Sequence, residues 1–233
     1  MNRNPIDAAR RLAQHEYAAA RLVIVGGSVL TARRTATSDL DVVVVTEPRA
    51  QPSRRSLTWE DWPVEVLEHD ERSLAAHCAD NLARRWPGIP RLIAEGAIVA
   101  DRDGLGARLQ DEMRHNLAAG PAAPTPAELA ELRYELTDLL DDLAGSTVPA
   151  ETAFTAARAL NKTAQLALLA ARHWQGTGKW LFRELHDHDP HLAEDLATAL
   201  TDPARLTALA HQVLNTVGGR LREGYEVTDP RNP

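Results

Sequence analysis

Two short apolar runs, joined by a glycine turn and ending in a pair of aspartates, constrain this chain more than any other feature. Residues 21–25 (RLVIV) and 40–46 (LDVVVVT) are rich in the β-branched residues that favour buried strands. The first run stops at Gly26 and Gly27, where the missing side chains permit a sharp turn. The order of elements therefore predicts a strand, a turn and a second strand that carries acidic residues at its start.

The acidic residues of this segment have a spacing that matters chemically. Asp39 and Asp41 are two residues apart, so in an extended chain both side chains project from one face. Like charges repel, and proteins commonly keep such a pair where a divalent cation neutralises it. We further expect residues 28–32 to begin a helix whose free N–H groups face a triphosphate. Together these parts suit metal-assisted phosphoryl transfer.

The same segment resembles the signature of the DNA polymerase β-like nucleotidyltransferase superfamily, and especially that of small bacterial antibiotic nucleotidyltransferases of the aminoglycoside type. Their signature is a hydrophobic strand, Gly-Gly or Gly-Ser, about ten further residues and then Asp-hydrophobic-Asp. Gly27 and Ser28, followed by Asp39 and Asp41, match this pattern. The family also has a third carboxylate on a later strand, and Glu65 in PVEVL fits that position.

The resemblance implies a role for each matching residue. Asp39, Asp41 and Glu65 would form the catalytic centre and hold Mg²⁺, with two ions expected, while Glu65 would alternatively act as base toward an acceptor hydroxyl. Gly27 and Ser28 would contact the phosphates of ATP or another NTP. One departure is the Arg33-Arg34 pair, which lies where relatives often have a small residue; the two arginines either steer phosphates or form a solvated face.

The composition changes at residues 120–126 (GPAAPTP), a run typical of an interdomain linker. The resemblance implies an α+β fold: a nucleotidyltransferase domain with a mixed sheet over residues 1–119, followed by an all-α helical bundle over residues 127–233. The pattern predicts further strands at 54–59, 63–67 and 97–100, and helices near 6–20, 73–85, 104–118, 129–143, 150–174, 181–186, 192–200 and 204–222.

Several polar residues of the second domain are weaker candidates. Lys179 follows a glycine-containing turn, and we predict that it contacts a nucleotide phosphate; the alternative is a turn between helices with Trp180 in the core. Glu135 and Asp138 would supply a base or bind a cationic acceptor, although most acidic residues of that helix are expected to be solvated. In the His-rich run 186–191, we predict that Asp189 caps a helix.

Charge and composition exclude some function classes. The formal net charge is −7, with 33 acidic and 26 basic residues, so nucleic acid is not the expected partner. The single Cys78 rules out an intrachain disulfide, and the start of the sequence lacks the apolar region of a secretory signal. No apolar stretch has the length of a membrane span. We therefore expect a cytoplasmic protein without a membrane partner.

The sequence predicts a Mg²⁺-dependent enzyme that moves a nucleoside monophosphate, in the first place AMP from ATP, to a hydroxyl of a small molecule and releases pyrophosphate. An aminoglycoside-like antibiotic is one acceptor of this kind. Two alternatives stay open: transfer to a protein or RNA, as in antitoxin-type nucleotidyltransferases, or a non-catalytic nucleotide-binding module. The sequence also leaves open the NTP, the general base and whether the chain forms a homodimer.

Overall fold

The structure is a computed structural model that describes residues 4–48 and 51–226. The chain divides into two compact units, the first ending at Gly120 and the second beginning at Pro121. The first unit combines a mixed sheet with helices, and the second consists of helices. The expected α+β class with a helical C-terminal region is therefore confirmed. The outermost residues of the two predicted domains lie outside the described part of the chain.

The first unit is built around one mixed sheet. Its elements are α1 (Pro5–Glu16), β1 (Leu22–Gly26), β2 (Leu40–Thr46), β3 (Ser53–Trp59), β4 (Trp62–Asp70), α2 (Glu71–Ala83), α3 (Gly88–Glu95), β5 (Ala97–Asp101) and α4 (Leu105–Ala119). The strand order is β3-β4-β2-β1-β5. Strands β2 and β4 run parallel, whereas the other neighbouring pairs run antiparallel. Strand β2 is therefore central and carries its valines into the core.

Alternation along the strands gives the sheet two apolar faces. Val42 and Val44 of β2 pack in a cluster with Leu12 of α1 on one face. Val43 and Val45 pack on the other face in a cluster that includes residues of α2, α3 and α4. Each fully buried side chain of this size contributes about 1.5–3 kcal/mol to folding. Because β2 is covered on both faces, its apolar run is almost continuous.

The loop of the β3–β4 hairpin contains two acidic residues with positive φ, which is uncommon for residues other than glycine and asparagine. Glu60 and Asp61 form the two-residue loop with φ of 49° and 62°, the conformation of a type I′ turn, which usually takes Asn or Gly. Arg11 of α1 donates to both carboxylate oxygens of Glu60, at 2.7 and 2.6 Å. This contact ties the hairpin to α1 and supports the pairing that positions β4.

The second unit is a helical bundle with its own core. Its helices are α5 (Pro126–Gly145), α6 (Pro149–Ala170), α7 (Lys179–His188), α8 (Pro190–Ala199) and α9 (Pro203–Thr216). The leucines of α5 that recur at helical spacing, Leu136, Leu139, Leu140 and Leu143, are buried in this core. Asp189 accepts a hydrogen bond from the Leu192 N–H and Pro190 is the first residue of α8, so the predicted cap is confirmed.

The residues after α9 lie along α5 instead of continuing the helix. Gly218 and Gly219 have positive φ, which ends α9 well before the predicted boundary at 222. Arg220 and Arg222 then form ion pairs with Asp141 of α5. This segment, residues 217–226, is called the C-terminal strap below.

Tyr225 completes the attachment of the C-terminal strap to α5. Its ring stacks on that of Tyr134, with 4.1 Å between ring centroids. Buried Thr137 accepts a hydrogen bond from the Leu221 N–H at 3.0 Å. The strap is therefore held at both its beginning and its end.

Over the described part of the chain, no helix combines the length and the apolar character needed to cross a membrane.

Candidate active site

The register of the sheet brings the predicted carboxylates together. Asp41 on β2 lies opposite Gly26 on β1 and, on its other side, opposite Glu65 on β4. Neighbouring strands are about 4.8 Å apart, and residues opposite each other in register project from the same face. Gly26, Asp41 and Glu65 thus form a row across three adjacent strands. Residues that are distant in the sequence become neighbours here because β2 and β4 pair in parallel.

Gly27 lies directly against the carboxylate of Asp41. Its φ is +88°, a conformation that side chains other than glycine rarely adopt. A Cβ atom added at Gly27 would overlap Asp41 Oδ2. The glycine turn and Asp41 of β2 are therefore packed together. The predicted combination of a phosphate-binding turn with an acidic site requires such proximity.

Ser28 begins a shorter helix than the sequence predicts. Residues Ser28–Leu30 form one turn of 3₁₀ helix, and the chain is extended at Thr31. The Thr31 hydroxyl donates to the Ser28 carbonyl oxygen at 3.0 Å, a local bond that competes with helix continuation. The expected helix over residues 28–32 is therefore wrong beyond this single turn.

A hydrogen bond between two serines joins the ends of the loop that follows. Ser28 Oγ and Ser38 Oγ are 3.0 Å apart, and Ser38 Oγ also accepts a hydrogen bond from the Thr35 N–H at 2.9 Å. Ser38 is buried and directly precedes Asp39. The pair therefore holds the glycine turn close to the start of the acidic segment.

Glu65 is paired with an arginine from the neighbouring strand. Arg54 Nε donates to Glu65 Oε1. Arg54 lies opposite Leu67, two residues from Glu65, so the contact is diagonal and on the same face of the sheet as Asp41. The Arg54 side chain is 70% exposed and that of Glu65 is 24% exposed. An ion pair this close to solvent contributes about 0.2–1 kcal/mol.

The donor chemistry of the row fits Mg²⁺, which prefers carboxylate oxygens. Asp41 and Glu65 are adjacent, while Asp39 lies one residue before β2 and is half-buried. Within residues 4–48 and 51–226, no group of three His, Cys, Asp or Glu side chains is already arranged to hold a metal ion. To bind one, Glu65 would hold the cation against the positive charge of the Arg54 guanidinium at its Oε1 atom.

Arg34 contacts an aromatic ring. Its guanidinium carbon lies 4.9 Å from the ring centroid of Trp62, a cation–π distance. Trp62 belongs to the cluster on the α1 face of the sheet. Arg33 and Arg34 both lie in the exposed loop after the 3₁₀ turn. Their predicted contact with phosphates stays a prediction.

Lys179 is the first residue of α7 and is exposed. The preceding turn is tightly packed, since a Cβ atom at Gly176 would lie 2.7 Å from the backbone carbon of Trp180. The segment is a turn between α6 and α7, as the alternative predicted, but Trp180 is 38% exposed and stacks with Arg183, so its predicted place in the core is wrong. The predicted contact of Lys179 with a nucleotide stays a prediction.

Glu135 and Asp138 of α5 are both engaged by basic residues of the second unit. Glu135 forms ion pairs with Lys162 and, at 3.5 Å, with Arg158 of α6. Asp138 lies 3.3 Å from the guanidinium of Arg222 in the C-terminal strap. A role as base or as acceptor site would therefore require these pairs to be broken.

Sequence reasoning missed two residues that shape this site, Ser38 and Arg54. Ser38 left a weak signal, because a small hydroxyl residue directly before the acidic segment can bond to a nearby turn. The only sequence signal for Arg54 is its position in the alternating pattern, which places it on the polar face of a predicted strand. Its partner could not be named without the register of β3 on β4.

Comparison with known proteins gives a distant match. No protein-family model matches the chain, and no curated protein matches it. Among solved structures, the chain is similar to a nucleotidyltransferase-like protein from Exiguobacterium sibiricum 255-15, with a TM-score of 0.48 and 15% sequence identity. The match covers 91% of this chain and 75% of that chain. A likeness this distant assigns neither residues nor a reaction, so the functional case rests on the site itself.

Proposed function

We propose that this chain is a Mg²⁺-dependent nucleotidyltransferase that moves a nucleoside monophosphate, AMP from ATP in the first place, to a hydroxyl of a small molecule. The observation that carries the proposal is the row of Gly26, Asp41 and Glu65 across three strands. Gly27 packs against the carboxylate at the centre of that row. The row supports the proposal because a glycine turn and two carboxylates are adjacent, an arrangement that suits a phosphate contact beside a metal site.

In the proposed reaction, the acceptor hydroxyl oxygen forms a bond to the α-phosphorus of the NTP. The bond from that phosphorus to the oxygen bridging it to the β-phosphate breaks, and pyrophosphate leaves. When bound, Mg²⁺ supplies the positive charge that neutralises the triphosphate and favours loss of the hydroxyl proton. Asp39, Asp41 and Glu65 would hold the metal, and the proton would pass to a carboxylate or to water.

The turn at Gly27 and Ser28 is the proposed contact for the phosphates. Since Gly27 packs against Asp41, phosphates at this turn would lie beside the acidic row. Lys179, exposed at the start of α7, stays a predicted phosphate contact. The acceptor class, a small hydroxyl compound such as an aminoglycoside, is the least constrained part of the proposal.

The test measures pyrophosphate release from each of the common NTPs in the presence of Mg²⁺, against a panel of aminoglycosides and other hydroxyl compounds. Asp41→Asn removes one charge from the row at nearly constant volume, and we expect turnover to fall at least about 100-fold. Asp103→Asn is the matched control, because Asp103 pairs with Arg21 and lies outside the row. The control should keep full turnover and the same melting temperature to within a few degrees.

Other outcomes redirect or end the proposal. Label that moves from the NTP to a protein or RNA would identify a macromolecular acceptor. Nucleotide that binds without pyrophosphate release under all conditions would indicate a binding module. Equal turnover by the wild type and Asp41→Asn would end the assignment of this site.

A further inference from the structure

We propose that Arg54 is a positioning residue that competes with the divalent cation for Glu65. The inference rests on the proposed function, because it takes Asp41 and Glu65 as the cation site. Arg54 Nε donates to Glu65 Oε1, so the guanidinium holds this carboxylate and balances its charge. A cation that binds Glu65 would weaken this contact.

The placement of the two side chains supports this exchange. Arg54 and Glu65 come from adjacent antiparallel strands and share the face that carries Asp41. The guanidinium therefore reaches the same carboxylate that a cation beside Asp41 would use. The guanidinium orients Oε1 of Glu65 toward Arg54 and carries the same sign of charge as the cation, so each opposes the binding of the other to Glu65.

The charges explain why an arginine is useful at this position. Asp41 and Glu65 lie opposite each other, and like charges opposite each other on adjacent strands destabilise a sheet. Arg54 offsets this repulsion while the cation is absent. Because its side chain is largely exposed, water and salt screen the pair, and the contact stays weak enough to be exchanged.

A neighbouring arginine on the same strand provides the matched control. Arg55 projects from the opposite face, where it donates to the Tyr17 hydroxyl at 2.8 Å and lies 3.6 Å from Glu16. Arg55→Gln therefore removes the same charge from the same strand without touching the acidic row. Any effect common to both variants reports a general change in charge, whereas an effect confined to Arg54→Gln reports the exchange.

The experiment is a titration of the full chain with Mn²⁺, without nucleotide, in which electron paramagnetic resonance measures the free cation. We expect Arg54→Gln to bind Mn²⁺ about two- to fivefold more tightly than the wild type, the range that corresponds to loss of an exposed ion pair. Arg55→Gln should bind like the wild type. In a Glu65→Gln background, adding Arg54→Gln should give no further gain.

Thermal melting provides a second readout that does not depend on catalysis. Without cation, Arg54→Gln should melt below the wild type, because the two carboxylates are then unbalanced. Saturating Mg²⁺ should raise its melting temperature by more than it raises that of the wild type. If the glutamine variant does not fold, Arg54→Met replaces it, since methionine keeps an aliphatic stem on the exposed strand.

The outcomes separate this inference from the proposed function. If Asp41→Asn abolishes Mn²⁺ binding while Arg54→Gln leaves it unchanged or weakens it, the cation site stands and the competition by Arg54 is overturned. If the wild type and Asp41→Asn bind Mn²⁺ equally, or neither binds it, the cation site itself fails and the role of Arg54 fails with it.

Discussion

At the scale of single residues, Gly27 satisfies two requirements at once. Its φ of +88° is strained for any side chain, and its α-carbon faces Asp41 Oδ2 without room for a Cβ atom. We expect Gly27→Ala to lower the free energy of unfolding by about 2–4 kcal/mol, from about 1–3 kcal/mol of backbone strain at ψ of −176° and a further cost of displacing the carboxylate. Urea unfolding measures the change, and turnover should fall with it.

Gly104 is the control for this substitution. Its φ of +76° is also positive, but with ψ of 13° it lies in the left-handed helical region, and a Cβ atom there would meet no atom within 4 Å. Gly104→Ala should therefore show only the backbone strain, about 1–2 kcal/mol, with turnover unchanged. Equal losses of stability in the two variants would show that Gly27 does not pack against the carboxylate.

The residues of the site differ in how far the sequence could reveal them. Asp39 and Asp41 were accessible, because spacing along one strand is local information. The pairing of Glu65 with Arg54 was not accessible, because it depends on the alignment of β3 on β4. The same limit applied to Asp138, whose partner Arg222 follows α9 and could not be chosen from the sequence.

At the scale of elements, the apolar strands were easier to predict than the short helices. Strand β2 has the predicted bounds, 40–46, because a β-branched run flanked by polar residues marks its limits. Helix α3 was missed, since it has eight residues, follows Pro87 and contains Pro90. Its apolar residues Ile93 and Ala94 nevertheless pack under the sheet, so packing and not local propensity decides that this segment is helical.

The C-terminal strap should be sensitive to acid. Hydrogen bonds from Arg220 and then from Arg222 hold the pKa of Asp141 below its ordinary value of 3.8. Since the folded pKa is depressed, the stabilisation is complete above the ordinary value and is lost as the pH falls through the folded pKa. We expect the strap to loosen from α5 only as the pH falls below 3.8, because a protonated Asp141 no longer pairs with the two arginines.

Near-ultraviolet circular dichroism between pH 7 and pH 3 checks this, since the stack of Tyr225 on Tyr134 gives a signal that requires the docked strap. Asp141→Asn should show a weakened tyrosine signal already at pH 7, because the hydrogen bond to Thr137 and the ring stack still hold the strap. Asp142→Asn is the control, because Asp142 is exposed on the same helix. A tyrosine signal that changes at the same pH in the wild type and in Asp141→Asn would contradict the prediction.

At the scale of the whole molecule, each unit contains its own hydrophobic core. The second unit is built around a cluster that includes Leu136, Leu166 and Leu206, while the first has one cluster on each face of its sheet. We expect fragments 1–120 and 121–233 each to fold when produced separately, because among the described residues neither core draws side chains from the other unit.

Circular dichroism and thermal melting of the two fragments test this independence. The helical fragment should give a cooperative transition, and Leu136→Ala within it should cost about 2–5 kcal/mol, since Leu136 is fully buried. Val148→Ala is the control at an exposed apolar residue. A fragment that is soluble only when the other is present would contradict separate folding.

The parallel pairing of β2 with β4 determines which mutations alter the row of Gly26, Asp41 and Glu65. The separation of Asp41 and Glu65 is set by backbone hydrogen bonds, so gradual repacking of the cores leaves it constant. A slip of β4 by one residue would instead place Val64 or Val66 beside Asp41, with Glu65 on the opposite face. A single-residue insertion in β4 that shifts this register would therefore remove the site completely. Many small substitutions elsewhere would leave the distance between Asp41 and Glu65 unchanged.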